Sequence, residues 1–168
     1  MKGLKVLFGL IVAVAGFSVL AAQAWAFNAE QLAKLKLTKQ CQGCDLTDAD
    51  LSDARLQGAD LTGQTDLSGA KLNRTYLSNA RLNNALLNYA EMYDVHMSGA
   101  DLSNAVLQSA KMSGADLKSA KLNNADLYRA NLSGAKLDNA DLTGALLDGA
   151  TWTDGSKCKD GSVGKCIK

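Results

Sequence analysis

The chain has 168 residues, 47% of them apolar, and its 18 basic and 17 acidic side chains leave a formal net charge of +1. That length suits one domain, the apolar content is too high for a disordered chain, and the charge balance lacks the basic excess of a general nucleic-acid binder. The single histidine excludes a multi-histidine metal site, and aromatic residues at 5% are too few for an aromatic-rich core.

Residues 1–26 have the layout of a secretory signal peptide. Two lysines lie within Met1 to Lys5, and Val6 to Ala22 is apolar apart from Gly9, Gly16 and Ser18. Ala24-Trp25-Ala26 then forms a small-x-small cleavage site. No twin arginine is present, which favours export of the unfolded chain. The expectation is an exported protein, soluble and without a membrane role after cleavage, in the periplasm, thylakoid lumen or extracellular space.

Residues 27–43 read as an N-terminal cap. Asn28 predicts a helix N-cap, with Gln31 three residues on to complete a capping box. Ala29, Leu32 and Leu35 share one face, suited to covering whatever follows. Cys41-Gln42-Gly43-Cys44 is a CxxC, but no βαβ pattern accompanies it, so the redox-motif reading is weak.

From residue 44 to 154 the chain repeats with a period of five. Large apolar residues fall at 46, 51, 56 and 61, then at every fifth position from 67 to 152. These 22 centres comprise 18 leucines with Met92, Met97, Met112 and Trp152. Two residues before each centre stands Ala, except at Cys44, Thr65, Thr75 and Val95. A period of five suits neither regular element. On an α-helix it drifts about 140° round the axis per repeat, and along a straight strand it alternates faces. A short strand followed by a two-residue corner keeps the centres together. Four corners then close a coil of 20 residues, and coils stack at about 4.8 Å. The alanine and the centre point inward, the residue between them points out, and Gly, Asn, Asp and Ser supply the corners. The step from Leu61 to Leu67 is six residues, so Gln64 reads as a one-residue bulge with Thr65 in the alanine slot.

The tract of A-(D/N)-L-x-x units resembles the pentapeptide-repeat proteins over about two thirds of the chain. The resemblance implies an all-β solenoid, a right-handed quadrilateral β-helix; the handedness comes from the family. The flanks T-K-Q-C-Q-G-C-D-L and T-W-T-D-G-S-K-C are similar to those of exported bacterial members. After the repeats, residues 155–168 form a glycine-containing tail. Four cysteines allow three pairings. The two pairs are separated by more than five coils, about 25 Å at the inter-coil spacing, which forbids a bridge between the ends. The expected disulfides are Cys41–Cys44 and Cys158–Cys166.

The remaining residue types carry little chemistry. His96 has Tyr76 and Asp116 as neighbours 20 residues away and Ser98 nearby, the inventory of a hydrolytic triad. These groups lie on a convex wall with no cleft and no oxyanion donor, so the chain reads as non-enzymatic. No catalytic, metal or cofactor residues are assigned. Two outward columns alternate in sign, Asp50, Lys71, Glu91, Lys111 and Asp60, Arg81, Asp101, Lys121, Asp141, and read as solvated faces that help register. Met92, Met97, Met112 and Val95 read as core adjustment. The tract 45–154 holds 15 acids against 9 bases, and most of the excess lies in 45–66.

Two functional readings follow. The first is an exported binding or scaffold protein with a rigid surface for a protein partner or for self-association. Its candidate surface is the wall with the outward column Asp45, Asp66, Leu86, Val106, Asp126, Leu146, flanked by Tyr89 and Tyr128, with Tyr93 round one edge. The alternative is a DNA mimic that inhibits an enzyme such as gyrase, by resemblance to acidic members of the family. The export signal and the mixed charge argue against it.

Overall fold

The computed structural model describes residues 28–168, so the leader reading lies outside the described residues. The chain enters through helix α1, Ala29–Thr38, and then winds into a stack of coils. The Asn28 side chain accepts from the amides of Glu30 and Gln31, satisfying two of the free donors at a helix start. The expected capping box is not completed. The Gln31 side chain instead accepts the Asp45 amide at 2.6 Å and ties the helix to the first coil. Leu35 is fully buried over that coil and Leu32 packs beside it, whereas Ala29 is exposed and takes no part in the cover.

Parallel pairing repeats every 20 residues, as in Leu86–Val106–Asp126–Leu146, and every 21 where the pair spans the bulge, as in Asp60–Arg81. Each coil contributes four such pairs, so the solenoid has four walls. Wall 1 carries the outward column Asp45, Asp66, Leu86, Val106, Asp126, Leu146. Wall 2 carries Asp50, Lys71, Glu91, Lys111, Asn131, Thr151, and wall 3 carries Arg55, Tyr76, His96, Asp116, Lys136. Wall 4 carries Gln40, Asp60, Arg81, Asp101, Lys121, Asp141. Only one residue per wall pairs as a strand residue, because the alanine and the centre on either side already belong to corners.

The hydrogen bonds explain the repeat consensus. Around Leu72, four of five amides are taken by backbone: Lys71 donates to Ala49, Leu72 to Glu91, Arg74 to Tyr93, and Thr75 closes the corner on Leu72. The amide just after the centre has no backbone acceptor. An Asp or Asn one before the centre supplies one: Asp50 accepts from Ser52 at 3.0 Å, Asp66 from Ser68 at 2.9 Å, Asp141 from Thr143 at 2.9 Å. This is an Asx turn, and it accounts for Asp and Asn at an outward position. The second corner residue has positive φ, as in Asn104 at 58° and Gly114 at 74°, the signature of a type II turn.

Inside, the centres and alanines form the core. Leu72, Leu82, Met92, Val95, Met97, Leu102 and Met112 are all fully buried. Thr65 and Thr75 fill alanine slots without orphaning their hydroxyls, which donate to the carbonyls of Cys41 at 2.6 Å and Leu51 at 2.7 Å. Gln64 takes positive φ at 62°, and the pairing interval changes from 21 to 20 beyond it. The extra residue is absorbed at the corner, so inward and outward sets keep their sides.

Disulfides join Cys41 to Cys44 and Cys158 to Cys166, one at each end of the stack. Cys44 points inward in its alanine slot. The tail turns back and runs antiparallel to the last coil, with Lys157 opposite Thr151 on wall 2 and Val163 opposite Leu146 on wall 1.

Candidate partner surface

Wall 1 holds the exposed large aliphatic group of the repeat tract, Leu146. Its outward column is built by the ladder: Leu86, Val106 and Leu146 occupy the slot where other repeats carry an Asx-turn acid, so the amides of Asn88, Gln108 and Asp148, two residues on, have no side-chain acceptor there. Leu86 and Val106 are half-buried by stacking on their neighbours, and Leu146 is 46% exposed. The tail extends this column, because Val163, paired with Leu146, is 51% exposed. Sequence reasoning missed Val163. Its position depends on the tail folding back, which no period foretold.

Aromatics border the strip. Tyr89 sits at a corner with φ 60° and is 66% exposed. A bulky side chain in this left-handed region is uncommon and points straight out from the corner. Tyr128 lies at the same corner two coils on, with the Arg129 guanidinium 4.9 Å from its ring centroid. Arg129 is a second residue the sequence reading did not include. Asp126 interrupts the strip: its carboxylate takes the Tyr128 amide at 3.0 Å and the Gln108 side-chain amide at 2.7 Å. Tyr93 lies round the next edge, its amide donating to Asn73.

The other walls differ in kind. On wall 4, Arg81 pairs with Asp60 at 2.9 Å. Burial works against the charge on Asp60, but hydrogen bonds from Thr62 and Gln42 and the Arg81 charge outweigh it, and the carboxyl sits below its ordinary range. On wall 2, Lys111 pairs with Glu91 at 2.9 Å. On wall 3, the Tyr76 and His96 rings stack with centroids 4.6 Å apart. Asp116 accepts the Lys118 amide rather than a proton from the imidazole. Among the described residues no group of three or more His, Cys, Asp or Glu is placed to hold a metal ion, and no helix is long and apolar enough to cross a membrane.

The family model for pentapeptide repeats matches this chain in eight copies, over residues 40–63, 65–104, 94–124 and 125–151. The chain belongs to the pentapeptide-repeat family. Among solved structures of this family, HetL, involved in heterocyst differentiation regulation in the cyanobacterium Nostoc sp. strain PCC 7120, is 31% identical. That match covers 70% of this chain and 65% of HetL, with a TM-score of 0.43. Rfr23 from the cyanobacterium Cyanothece 51142 is 28% identical, covering 71% of this chain and 94% of Rfr23, with a TM-score of 0.42. A pentapeptide-repeat protein of the Arabidopsis thaliana thylakoid lumen is 23% identical, covering 76% and 84%, with a TM-score of 0.37. No curated protein matches the chain.

Proposed function

We propose that this pentapeptide-repeat chain is a non-enzymatic, exported binding or scaffold protein that presents wall 1 of a right-handed quadrilateral β-helix to a protein partner. The observation that carries this reading is the strip of Leu86, Val106, Leu146 and Val163, bordered by Tyr89 and Tyr128. Exposed aliphatic and aromatic side chains held on a rigid backbone lose little conformational entropy on binding, and aromatics dominate interface energetics. Export is supported by the leader-like residues 1–26 and by two disulfides, which persist in oxidising compartments.

The test is a Leu86→Ser/Val106→Ser double variant, with its fold checked by circular dichroism. The wild-type chain should capture a specific protein from the native envelope fraction, and the variant should lose it. Undiminished capture by a folded variant removes wall 1 from consideration.

A further inference from the structure

Three Asp-Gly steps occur in the sequence, Asp148-Gly149, Asp154-Gly155 and Asp160-Gly161, all near its C-terminal end. In an Asp-Gly step the side-chain carboxyl reaches the next backbone nitrogen easily, because glycine has no Cβ to obstruct the approach. The fold treats the three differently. At the first, the Asp148 carboxylate accepts the Ser162 amide at 2.8 Å and the Gly149 amide donates to the Cys158 carbonyl at 3.0 Å. At the second, the Asp154 carboxylate pairs with Lys168 and accepts from the Ser156 amide and hydroxyl, while the Gly155 amide donates to the Trp152 carbonyl at 2.9 Å. Lys168 and Ser156 together hold the Asp154 carboxyl far below its ordinary range. At the third, neither the Asp160 carboxylate nor the Gly161 amide has a hydrogen-bond or ion-pair partner among the described residues. Asp160 and Gly161 are exposed at a turn, Gly161 has φ 84°, and a Cβ placed on it would meet nothing within 4 Å. Asp154 and Gly155 are exposed as well, so solvent access alone does not set the third step apart.

We propose that Asp160 is a site of spontaneous isoaspartate formation, and that the change unlatches the tail from the last coil. The Gly161 nitrogen attacks Cγ of the protonated Asp160 carboxyl. The amide proton and the carboxyl hydroxyl leave together as water, and a succinimide ring forms. Water then adds back at one of the two ring carbonyls. Breaking the Cγ–N bond restores aspartate. Breaking the bond from the α-carbonyl carbon to nitrogen leaves the chain running through Cβ and Cγ, with the α-carboxylate as the new side group. No oxidant or reductant takes part, only the water that leaves and returns. At Asp148 and Asp154 the carboxylate and the glycine amide must first give up their partners, and an ionised carboxylate is the poorer electrophile.

The extra main-chain carbon falls where the tail is closely held. Ser162 is fully buried, and its hydroxyl donates to the Lys159 carbonyl at 2.6 Å, directly across the Asp160-Gly161 step. The same hydroxyl accepts the Ile167 amide at 3.0 Å, and the Ser162 carbonyl accepts the Leu147 amide at 2.8 Å. Lengthening the chain between Lys159 and Ser162 breaks this set. With it goes the pairing that seats Val163 opposite Leu146 and the bond from the Gly164 amide to the Ala145 carbonyl. The Cys158–Cys166 disulfide keeps the loosened segment closed as a loop. Nothing in this chemistry depends on wall 1 binding a partner.

The test is to age the full chain at neutral pH, both folded and, in parallel, reduced and unfolded in denaturant, until the unfolded chain has isomerised at all three steps. Peptide mapping separates aspartyl from isoaspartyl peptides of equal mass. The folded chain should accumulate isoaspartate at Asp160 about tenfold or more faster than at Asp148 or Asp154, as expected from the hydrogen bonds those two must break. Amide exchange should show lost protection at Leu147 and Ile167 in the isomerised molecules. Asp160→Asn should speed the change, because ammonia leaves a side-chain amide more readily than water leaves the carboxyl at this pH. Asp160→Ser, which cannot form the ring, should keep its tail protected through ageing. Equal rates at the three steps of the folded chain, or no isoaspartate at Asp160, overturn the proposal. So does a tail that stays protected in molecules isomerised at Asp160, or a loss of protection on ageing that Asp160→Ser shares with the wild type.

Discussion

Gly114 and Gly134 occupy the same corner in successive coils, with φ of 74° and 70°. Replacing either by Ala puts a Cβ into the left-handed region, at a cost of about 1–2 kcal/mol. The surroundings differ. A Cβ at Gly134 meets nothing nearer than the Gly114 nitrogen at 3.9 Å, whereas a Cβ at Gly114 overlaps Oδ1 of Asp94. Asp94 must leave its rotamer to make room, which adds about 0.5–1.5 kcal/mol. Gly114→Ala should therefore destabilise by about 1.5–3.5 kcal/mol and Gly134→Ala by about 1–2 kcal/mol. The excess should vanish when Asp94→Ala is combined with Gly114→Ala, because the obstacle is then gone. Denaturant unfolding of the four variants forms a cycle that isolates this contact. Equal losses for the two glycines, or an excess that survives Asp94→Ala, would refute the corner stacking.

Two further outcomes follow from the same architecture. Leu102 is an inner centre between Leu82 and Leu122, so Leu102→Asp should unfold the chain: it forfeits about 1.5–3 kcal/mol of burial and places a carboxylate in the core at a cost of several more. Asp101→Ala, on the outer face, removes the Ser103 hydrogen bonds and the weak attraction to Lys121 and Arg81 and should cost about 1 kcal/mol; equal melting temperatures for the two would show the inward and outward sets to be wrong. Acid should also destabilise the stack. At Asp60 and Asp101 burial opposes the charge, but hydrogen bonds from Thr62 and Gln42, and from Ser103, together with nearby cations, hold both carboxyls below their ordinary value. A carboxyl lowered in the folded state stabilises above the unfolded value, about 3.9, and that contribution is lost as pH falls through the folded value. The denaturant midpoint should thus fall below about pH 4, and Asp60→Asn should flatten the decline; a superimposable profile would contradict the assignment.

Much of the wall order was legible because the period leaves one solution. Five residues per repeat and four repeats per coil assign Leu86, Val106 and Leu146 to one column before any coordinate is known, and the ladder places them so. The role of the outward Asp was not legible. It depends on which amide the ladder leaves over, and that follows only from the way stacked coils exchange hydrogen bonds. At the N-terminal cap, local pattern named the correct N-cap but misassigned Gln31, because the Asp45 amide of the first coil competes for its side chain.

The amino-acid sequence determined the repeat, the inward and outward sets, the bulge at Gln64 and the family, since each is a matter of spacing along the chain. Tertiary structure decided where the non-repeating segments go. Nothing periodic tells the tail to run antiparallel and to add Val163 to wall 1. Those outcomes depend on which edge the tail can reach from Trp152 through the turn at Gly155, where the Trp152 amide donates to Ser156. A repeat specifies its own neighbours, but it does not specify how the stack ends.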